Sequence, residues 1–245
     1  MHAGHSPTYL TKIAPSRRSL LQFAISSVCL PLGNNIVAAK EAKTPPKPDN
    51  QISPETALNR LMEGNDRYVQ GVSRSDDFKR ERPVLADGQN PYAAVLSCAD
   101  SRVAPELVFG SGLGDLFVCR VAGNFANDDT LASMEYAVAV LNTPLILVLG
   151  HDHCGAIDAT IKSLHDDKPP PGHISSLVAA LAPAVKVSRQ QTGDTFVLAT
   201  RQNVIDNVNK LKSTGPILNT AVEQNRLKVV GGLYRLDTGR VDLLS

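Results

Sequence analysis

The chain alternates short, wholly apolar runs with longer segments in which apolar residues recur every three or four positions. Two runs, YAAVLS (92–97) and LILVLG (145–150), are typical of strands buried on both faces of a sheet. DLFVCRVA (115–122) predicts a third strand, which lies between them in the chain. KVVGGLYRL (228–236) predicts a later strand, and RVDLL (240–244) is expected to pair with it as a hairpin.

Helical periodicity fills the segments between these runs. The segments with helical spacing of apolar residues are 53–69, 131–142, 155–165, 174–188, 195–213 and 216–225. Strands that alternate with helices predict an α/β fold, with a central, mostly parallel β-sheet flanked by helices.

The N-terminal part of the chain has a different pattern. In residues 1–39, Arg17 and Arg18 precede a short apolar stretch and then small residues, which is the layout of an export signal. The sequence SRRSLL resembles a twin-arginine signal, so we expect an exported, periplasmic protein. The alternative is a disordered extension on a cytoplasmic protein. Residues 40–52 are rich in proline and charge and predict a linker, which leaves 53–245 as the folded domain.

Composition narrows the choice of function. The formal net charge of the 245-residue chain is +1, which argues against a nucleic-acid-binding protein because such proteins carry a basic excess. No apolar run reaches the ~20 residues that a membrane-spanning helix needs. The four cysteines are too few and too scattered for a disulfide-based scaffold, which leaves metal binding or burial as their roles.

Candidate metal ligands follow two of the apolar runs. Cys98 comes directly after the first run, and His151 and Cys154 come directly after the run at 145–150. If the two strands are neighbours, their carboxyl ends lie ~5 Å apart at one edge of the sheet. Two thiolates and one imidazole form a zinc-binding set, and three protein ligands leave a fourth position open, as in catalytic zinc sites.

The motifs at these positions, together with others in the same order, resemble the β-class carbonic anhydrases. The resemblance covers residues 53–244 and rests on SCADSRVAPELVF, GDLFVCRVAGN, SMEYAV, VLGHDHCGA and VVGGLYRLDTGRV. It implies that Cys98, His151 and Cys154 bind one Zn²⁺ per subunit. The implied activity is reversible hydration of carbon dioxide to bicarbonate and a proton, by attack of zinc-bound hydroxide.

The resemblance also assigns Asp100 and Arg102 as a catalytic pair. An ionised Asp100 is suited to accept a hydrogen bond from the hydroxide and orient it, while Arg102 holds the carboxylate through a bidentate contact. If that contact breaks, Asp100 is expected to become the fourth metal ligand in a closed state. The alternative is an ordinary ion pair at the start of a helix.

Five further positions match substrate-binding residues of the family: Gln89, Phe117, Ala122, Tyr136 and Gly155. Gly155 would offer its backbone N–H to bicarbonate, and Ala122 would line the pocket. In the family, Gln89, Phe117 and Tyr136 come from the partner subunit, which implies a homodimer or a higher homo-oligomer. For each position, core packing or a loop role is the alternative.

Four other positions near these motifs also bear on the prediction. His153 is either a proton relay or an exposed turn residue, and Asp152 is expected to be a solvated turn residue. Some family members have an inhibitory bicarbonate site that contains a tryptophan, but Val95 occupies that position here. Arg120 matches the arginine of that site, which we nevertheless expect to be missing.

Two other functions fit the same residues. One is hydrolysis of CS₂ or COS on the same fold, since both molecules are linear and isoelectronic with carbon dioxide. The other is a non-catalytic zinc- or bicarbonate-binding protein, which would have no use for the Asp100–Arg102 pair.

Overall fold

A computed structural model describes residues 50–72 and 78–244 of the chain. The predicted export signal and residues 40–49 of the predicted linker lie outside the described residues. The helices are α1 (Pro54–Val69), α2 (Phe78–Leu85), α3 (Pro105–Val108), α4 (Asp128–Ala139), α5 (Gly155–Asp166), α6 (Ile174–Ser188), α7 (Thr195–Ser213) and α8 (Ile217–Glu223). The strands are β1 (Ala93–Ser97), β2 (Leu116–Arg120), β3 (Leu145–His151), β4 (Lys228–Tyr234) and β5 (Val241–Leu244).

The strands form one sheet in the order β2-β1-β3-β4-β5. β1 pairs in parallel with both β2 and β3, and β3 pairs in parallel with β4. β5 runs antiparallel to β4 at the far edge, as the predicted hairpin requires. The predicted α/β fold with a mostly parallel sheet is therefore confirmed.

Burial explains why the central strands are apolar throughout. Every residue of β1 and of β3 is buried, because helices and loops cover both faces of the sheet. One apolar cluster packs α4, α7 and α8 against one face, and a second packs α1 and α3 against the other. β2 lies at the edge and is only half-buried.

Local hydrogen bonds set several helix boundaries. The side chain of Ser53 accepts the N–H of Thr56 at the start of α1, where Pro54 takes a first-turn position. α4 begins before the predicted helix because Asn127 and Thr130 form a reciprocal capping box. Asn50 falls in the predicted linker, but its buried side chain donates to backbone carbonyl groups of the domain.

Within the described residues, no helix is both long enough and apolar enough to cross a membrane.

Candidate metal centre

The order of the strands brings the three candidate ligands together. β1 and β3 are neighbours, so the residues that follow them meet at the carboxyl edge of the sheet. Cys98 follows β1, His151 is the last residue of β3, and Cys154 is the residue that precedes α5. The ligand atoms of these buried side chains all lie within 4.8 Å of one another.

The imidazole of His151 is oriented by one hydrogen bond. Its Nδ1 lies 2.7 Å from the carbonyl oxygen of Asp152, and since a carbonyl only accepts, Nδ1 carries the proton. Nε2 is buried and has no hydrogen-bond partner among the described residues. A neutral imidazole with Nδ1 held by a carbonyl and Nε2 free is the usual form of a metal-binding histidine.

Electrostatics favour negative charge at this point. A hydrogen bond from Cys154 lowers the pKa of the Cys98 thiol to about 4 against the effect of burial, with further help from His151 and the N–H of Gly123. The same hydrogen bond, together with burial, raises the pKa of Cys154. Burial opposes a charge on His151, but the nearby Cys98 sulfur and its negative charge raise the pKa of the imidazole.

The donor set fits zinc. Zn–S bonds of ~2.3 Å in a tetrahedron place two sulfurs ~3.8 Å apart, which agrees with ligand atoms within 4.8 Å of one another. The unpartnered Nε2 of His151 supplies a third donor. Cys98, His151 and Cys154 would hold the ion. Because this cluster of described residues offers three donors, a fourth position would be left for solvent or substrate.

Asp100 and Arg102 form a bidentate pair beside the three ligands. Arg102 donates from Nε to Oδ1 at 2.9 Å and from Nη2 to Oδ2 at 2.8 Å, and its backbone N–H also donates to Oδ1. Nη2 lies 3.3 Å from the carbonyl oxygen of His153, a residue exposed in a turn. The hydrogen bond from Arg102 holds the pKa of Asp100 well below its usual range, so Asp100 is ionised at neutral pH.

The guanidinium of Arg120 holds the same loop from the end of β2. Nε donates to the carbonyl oxygen of Cys98 at 3.1 Å, and Nη2 donates to the carbonyl oxygen of Asp100 at 2.6 Å. Arg120 therefore fixes the backbone that carries both a candidate ligand and the carboxylate. Nothing in the sequence pattern predicted this contact.

The structure places the five predicted pocket residues in different parts of the fold. Gly155 is the first residue of α5, next to Cys154, and Ala122 is half-buried in the loop after β2. Phe117 on β2 and Tyr136 on α4 pack against each other, with ring centroids 6.3 Å apart. Gln89 lies exposed in the loop between α2 and β1.

Two further contributions at the site were not predicted from the sequence. Asp152, expected to be a solvated turn residue, is half-buried, and its Oδ1 accepts the N–H of Leu236 at 3.1 Å. The backbone N–H of Gly123 donates to Sγ of Cys98 at 3.3 Å. In the sequence, the glycine at position 123 was the only indication of this backbone contact. A backbone donor does not depend on the type of side chain and so gives no sequence pattern.

Comparison with known proteins identifies the family. The model of the carbonic anhydrase family matches residues 93–241. Carbonic anhydrase 2 of Mycobacterium tuberculosis is 40% identical over 195 residues, which are 78% of this chain and 93% of that protein. A carbonic anhydrase of Mycolicibacterium smegmatis is 37% identical over 195 residues, covering 79% of this chain and 94% of the relative.

A solved structure agrees with these sequence relatives. The β-carbonic anhydrase CcaA has 29% sequence identity and a TM-score of 0.60, over 77% of this chain and 95% of that chain. The chain therefore belongs to the β-carbonic anhydrases, the enzymes that hydrate carbon dioxide to bicarbonate.

Proposed function

We propose that the chain catalyses the reversible hydration of carbon dioxide to bicarbonate and a proton, with one Zn²⁺ per subunit held by Cys98, His151 and Cys154. The convergence of these three ligand atoms within 4.8 Å, beside an ionised carboxylate, carries the proposal. Zinc held by these residues would lower the pKa of a bound water to about 7 and so supply a nucleophile at neutral pH.

The protein contributes orientation. Asp100 is ionised, so it accepts a hydrogen bond from the nucleophile and directs the nucleophile's lone pair towards the substrate. Arg102 fixes both carboxylate oxygens and keeps Asp100 from turning towards the metal as a fourth ligand. Arg120 donates to the backbone carbonyl groups of Cys98 and Asp100, which fixes the position of the carboxylate relative to the Cys98 sulfur.

The substrate pocket is proposed to be completed by a second copy of the chain. Tyr136 lies in the last turn of α4, and Val140 is the residue that follows the helix. Their side chains are 48% and 56% exposed. Phe117 packs beside Tyr136, so the edge formed by β2 and α4 presents an apolar surface. A homodimer that covers this surface would bring Gln89, Phe117 and Tyr136 of one subunit towards the metal centre of the other.

Carbon dioxide and bicarbonate need different contacts within this pocket. Carbon dioxide is apolar, so half-buried Ala122 and the aromatic pair offer a suitable wall. Bicarbonate is an anion, and the backbone N–H of Gly155 lies in the first turn of α5, where helix N–H groups stabilise negative charge.

A stopped-flow assay of carbon dioxide hydration between pH 6.5 and 9, with zinc measured by elemental analysis, tests this function. We expect one zinc per chain and activity that falls ~100-fold in Asp100→Ala, because the nucleophile loses its orientation. Asp166→Ala, at an exposed aspartate of α5, is the matched control and should retain full activity. Hydrolysis of CS₂ without hydration of carbon dioxide would overturn the proposal, as would a zinc-free protein.

Export is proposed on sequence grounds alone, from Arg17, Arg18 and the apolar stretch after them. The twin-arginine route carries folded proteins, so zinc would be bound before the chain crosses the membrane. Cell fractionation and N-terminal sequencing test this, with the paired substitution Arg17→Lys and Arg18→Lys against Lys12→Arg as control. We expect the wild-type protein and the Lys12→Arg control to be shortened and periplasmic. The protein with the paired substitution should stay in the cytoplasm. An intact N-terminus in the cytosol of wild-type cells would contradict it.

A further inference from the structure

Helix α7 carries a row of polar side chains that the proposed mechanism does not use. Asn203, Asn207 and Lys210 follow one another at helical spacing and face the loop of residues 123–126. Asn203 and Asn207 are buried, with only 3% and 6% of their surfaces exposed. Buried amides on a helix are costly unless they are paired, so their partners indicate what they do.

Each of these side chains holds the backbone of that loop. Nδ2 of Asn203 donates to the carbonyl oxygen of Gly123 at 2.8 Å. Oδ1 of Asn207 accepts the N–H of Ala126 at 2.7 Å, and Nζ of Lys210 donates to the carbonyl oxygen of Ala126 at 2.6 Å.

The two amides also support each other. Nδ2 of Asn207 donates to both the backbone carbonyl oxygen and Oδ1 of Asn203. With its Oδ1 accepting from Asn207, the amide of Asn203 is fixed with Nδ2 towards Gly123. The hydrogen bonds between the two amides fix which atom of each faces the loop: Nδ2 of Asn203 as a donor and Oδ1 of Asn207 as an acceptor.

The loop held in this way contacts a proposed metal ligand. The N–H of Gly123 donates to Sγ of Cys98 at 3.3 Å. Gly123 has φ of 86°, and a Cβ there would lie 2.7 Å from Cδ1 of Leu181, so only glycine fits this close approach. A hydrogen bond to a thiolate withdraws electron density from sulfur and fixes its position relative to the metal.

We propose that Asn203 and Asn207 are positioning residues of the metal centre, acting through the loop of residues 123–126 to hold the Gly123 N–H against the Cys98 sulfur. This inference rests on the proposed zinc site. It assigns to α7 a role in metal retention as well as in packing the sheet.

The test compares two substitutions of equal chemistry on α7. Asn203→Asp keeps the size of the side chain and the oxygen that Asn207 needs, but replaces the donor to Gly123 with an acceptor. Asn209→Asp makes the same change at an exposed position of the same helix and is the matched control. Leu211→Ala, at a fully buried position of α7, lowers stability without touching the loop contacts and serves as the stability control.

Two measurements on the full chain do not depend on activity. One is the rate of zinc release to an excess of chelator at a temperature well below the melting of every variant. The other is the near-ultraviolet thiolate-to-metal band of the cobalt-substituted protein. We expect Asn203→Asp to release zinc 10- to 100-fold faster and to shift the band, with Asn209→Asp and Leu211→Ala behaving as wild type.

The outcomes separate this inference from the proposed function. A wild-type protein that binds no zinc would overturn the proposed function. A wild-type protein that holds zinc, with release and band unchanged in Asn203→Asp, would overturn the role of α7 alone. Equal acceleration in Leu211→Ala would also overturn it, because the effect would then follow from overall stability.

Discussion

Arg102 binds both carboxylate oxygens of Asp100, from Nε at 2.9 Å and from Nη2 at 2.8 Å. The two residues are separated by one position in a loop, so the same backbone turn fixes their relation. Because Arg102 uses two donors, Asp100 has a fixed orientation as well as a negative charge.

Removing this contact should shift the pH dependence of activity upwards. The hydrogen bond from Arg102 lowers the pKa of Asp100, so in Arg102→Gln that pKa rises towards the ordinary ~3.9. At pH 7 the ionised form of Asp100 would still outnumber the protonated form by about a thousand to one. Protonation of Asp100 itself therefore does not cause the expected shift. A released carboxylate competes with solvent for the metal, and solvent competes better as pH rises. Stopped-flow profiles between pH 6 and 9.5 measure the shift.

The double variant Arg102→Gln/Asp100→Asn controls for this explanation. An amide binds zinc far less well than a carboxylate, so the midpoint of the profile should return to the wild-type value although the rate stays low. If Arg102→Gln alone lowered the rate but left the midpoint of the pH profile unchanged, competition between Asp100 and solvent for the metal would be contradicted.

Asp152 should influence zinc affinity without touching the metal. Its Oδ1 accepts the N–H of Leu236, which fixes the peptide whose carbonyl oxygen holds Nδ1 of His151. Asp152→Ala removes that acceptor and should weaken zinc binding ~10-fold, whereas Asp152→Asn keeps an oxygen acceptor and should bind as wild type. Competition with a chelator of known affinity measures both. Equal affinity in the alanine and wild-type proteins would exclude this role.

A charge on the exposed face of α4 should separate the subunits. Val140 is 56% exposed, and Val140→Glu would place a carboxylate in the proposed apolar interface, where burying it without a partner is costly. We expect a monomer by analytical ultracentrifugation and at least tenfold lower activity, since the partner's pocket residues are lost. Val187→Glu places the same charge at an exposed position of α6, and this control should stay oligomeric and active. An active Val140→Glu monomer would show that one subunit is sufficient.

Gly64 should tolerate no side chain. It lies in α1, and a Cβ there would be 2.0 Å from the carbonyl oxygen of Phe109 and 2.8 Å from its carbonyl carbon. Alanine favours a helix by ~1 kcal/mol over glycine, but forcing α1 away from a backbone carbonyl costs more. Gly64→Ala should lower the free energy of unfolding by about 2 kcal/mol or more in urea. Gly88→Ala, where a Cβ meets nothing within 4 Å, should change it little; equal losses in both would contradict the contact.

The sequence predicted those features that leave a pattern along the chain. β1 and β3 are buried on both faces and so read as continuous apolar runs, and the ligand residues stand directly after them. α2 and α3 were not predicted, because each is short and contains or begins with proline. The support of Gly123 by Asn203 was equally hidden, since a hydrogen bond from a side chain to a distant backbone group imposes no periodicity.

The position of the ligands also has a consequence for how the molecule assembles. Cys98 precedes β2 and α4 in the chain, and His151 and Cys154 follow them. An ion shared by these residues closes a loop around the edge strand, which among the described strands is hydrogen-bonded to β1 alone. If the proposed homodimer forms through this edge, metal uptake and subunit association would favour one another through the same segment. The coupling would be reciprocal: dimers would retain the ion better than monomers, and loaded chains would dimerise more readily than empty ones.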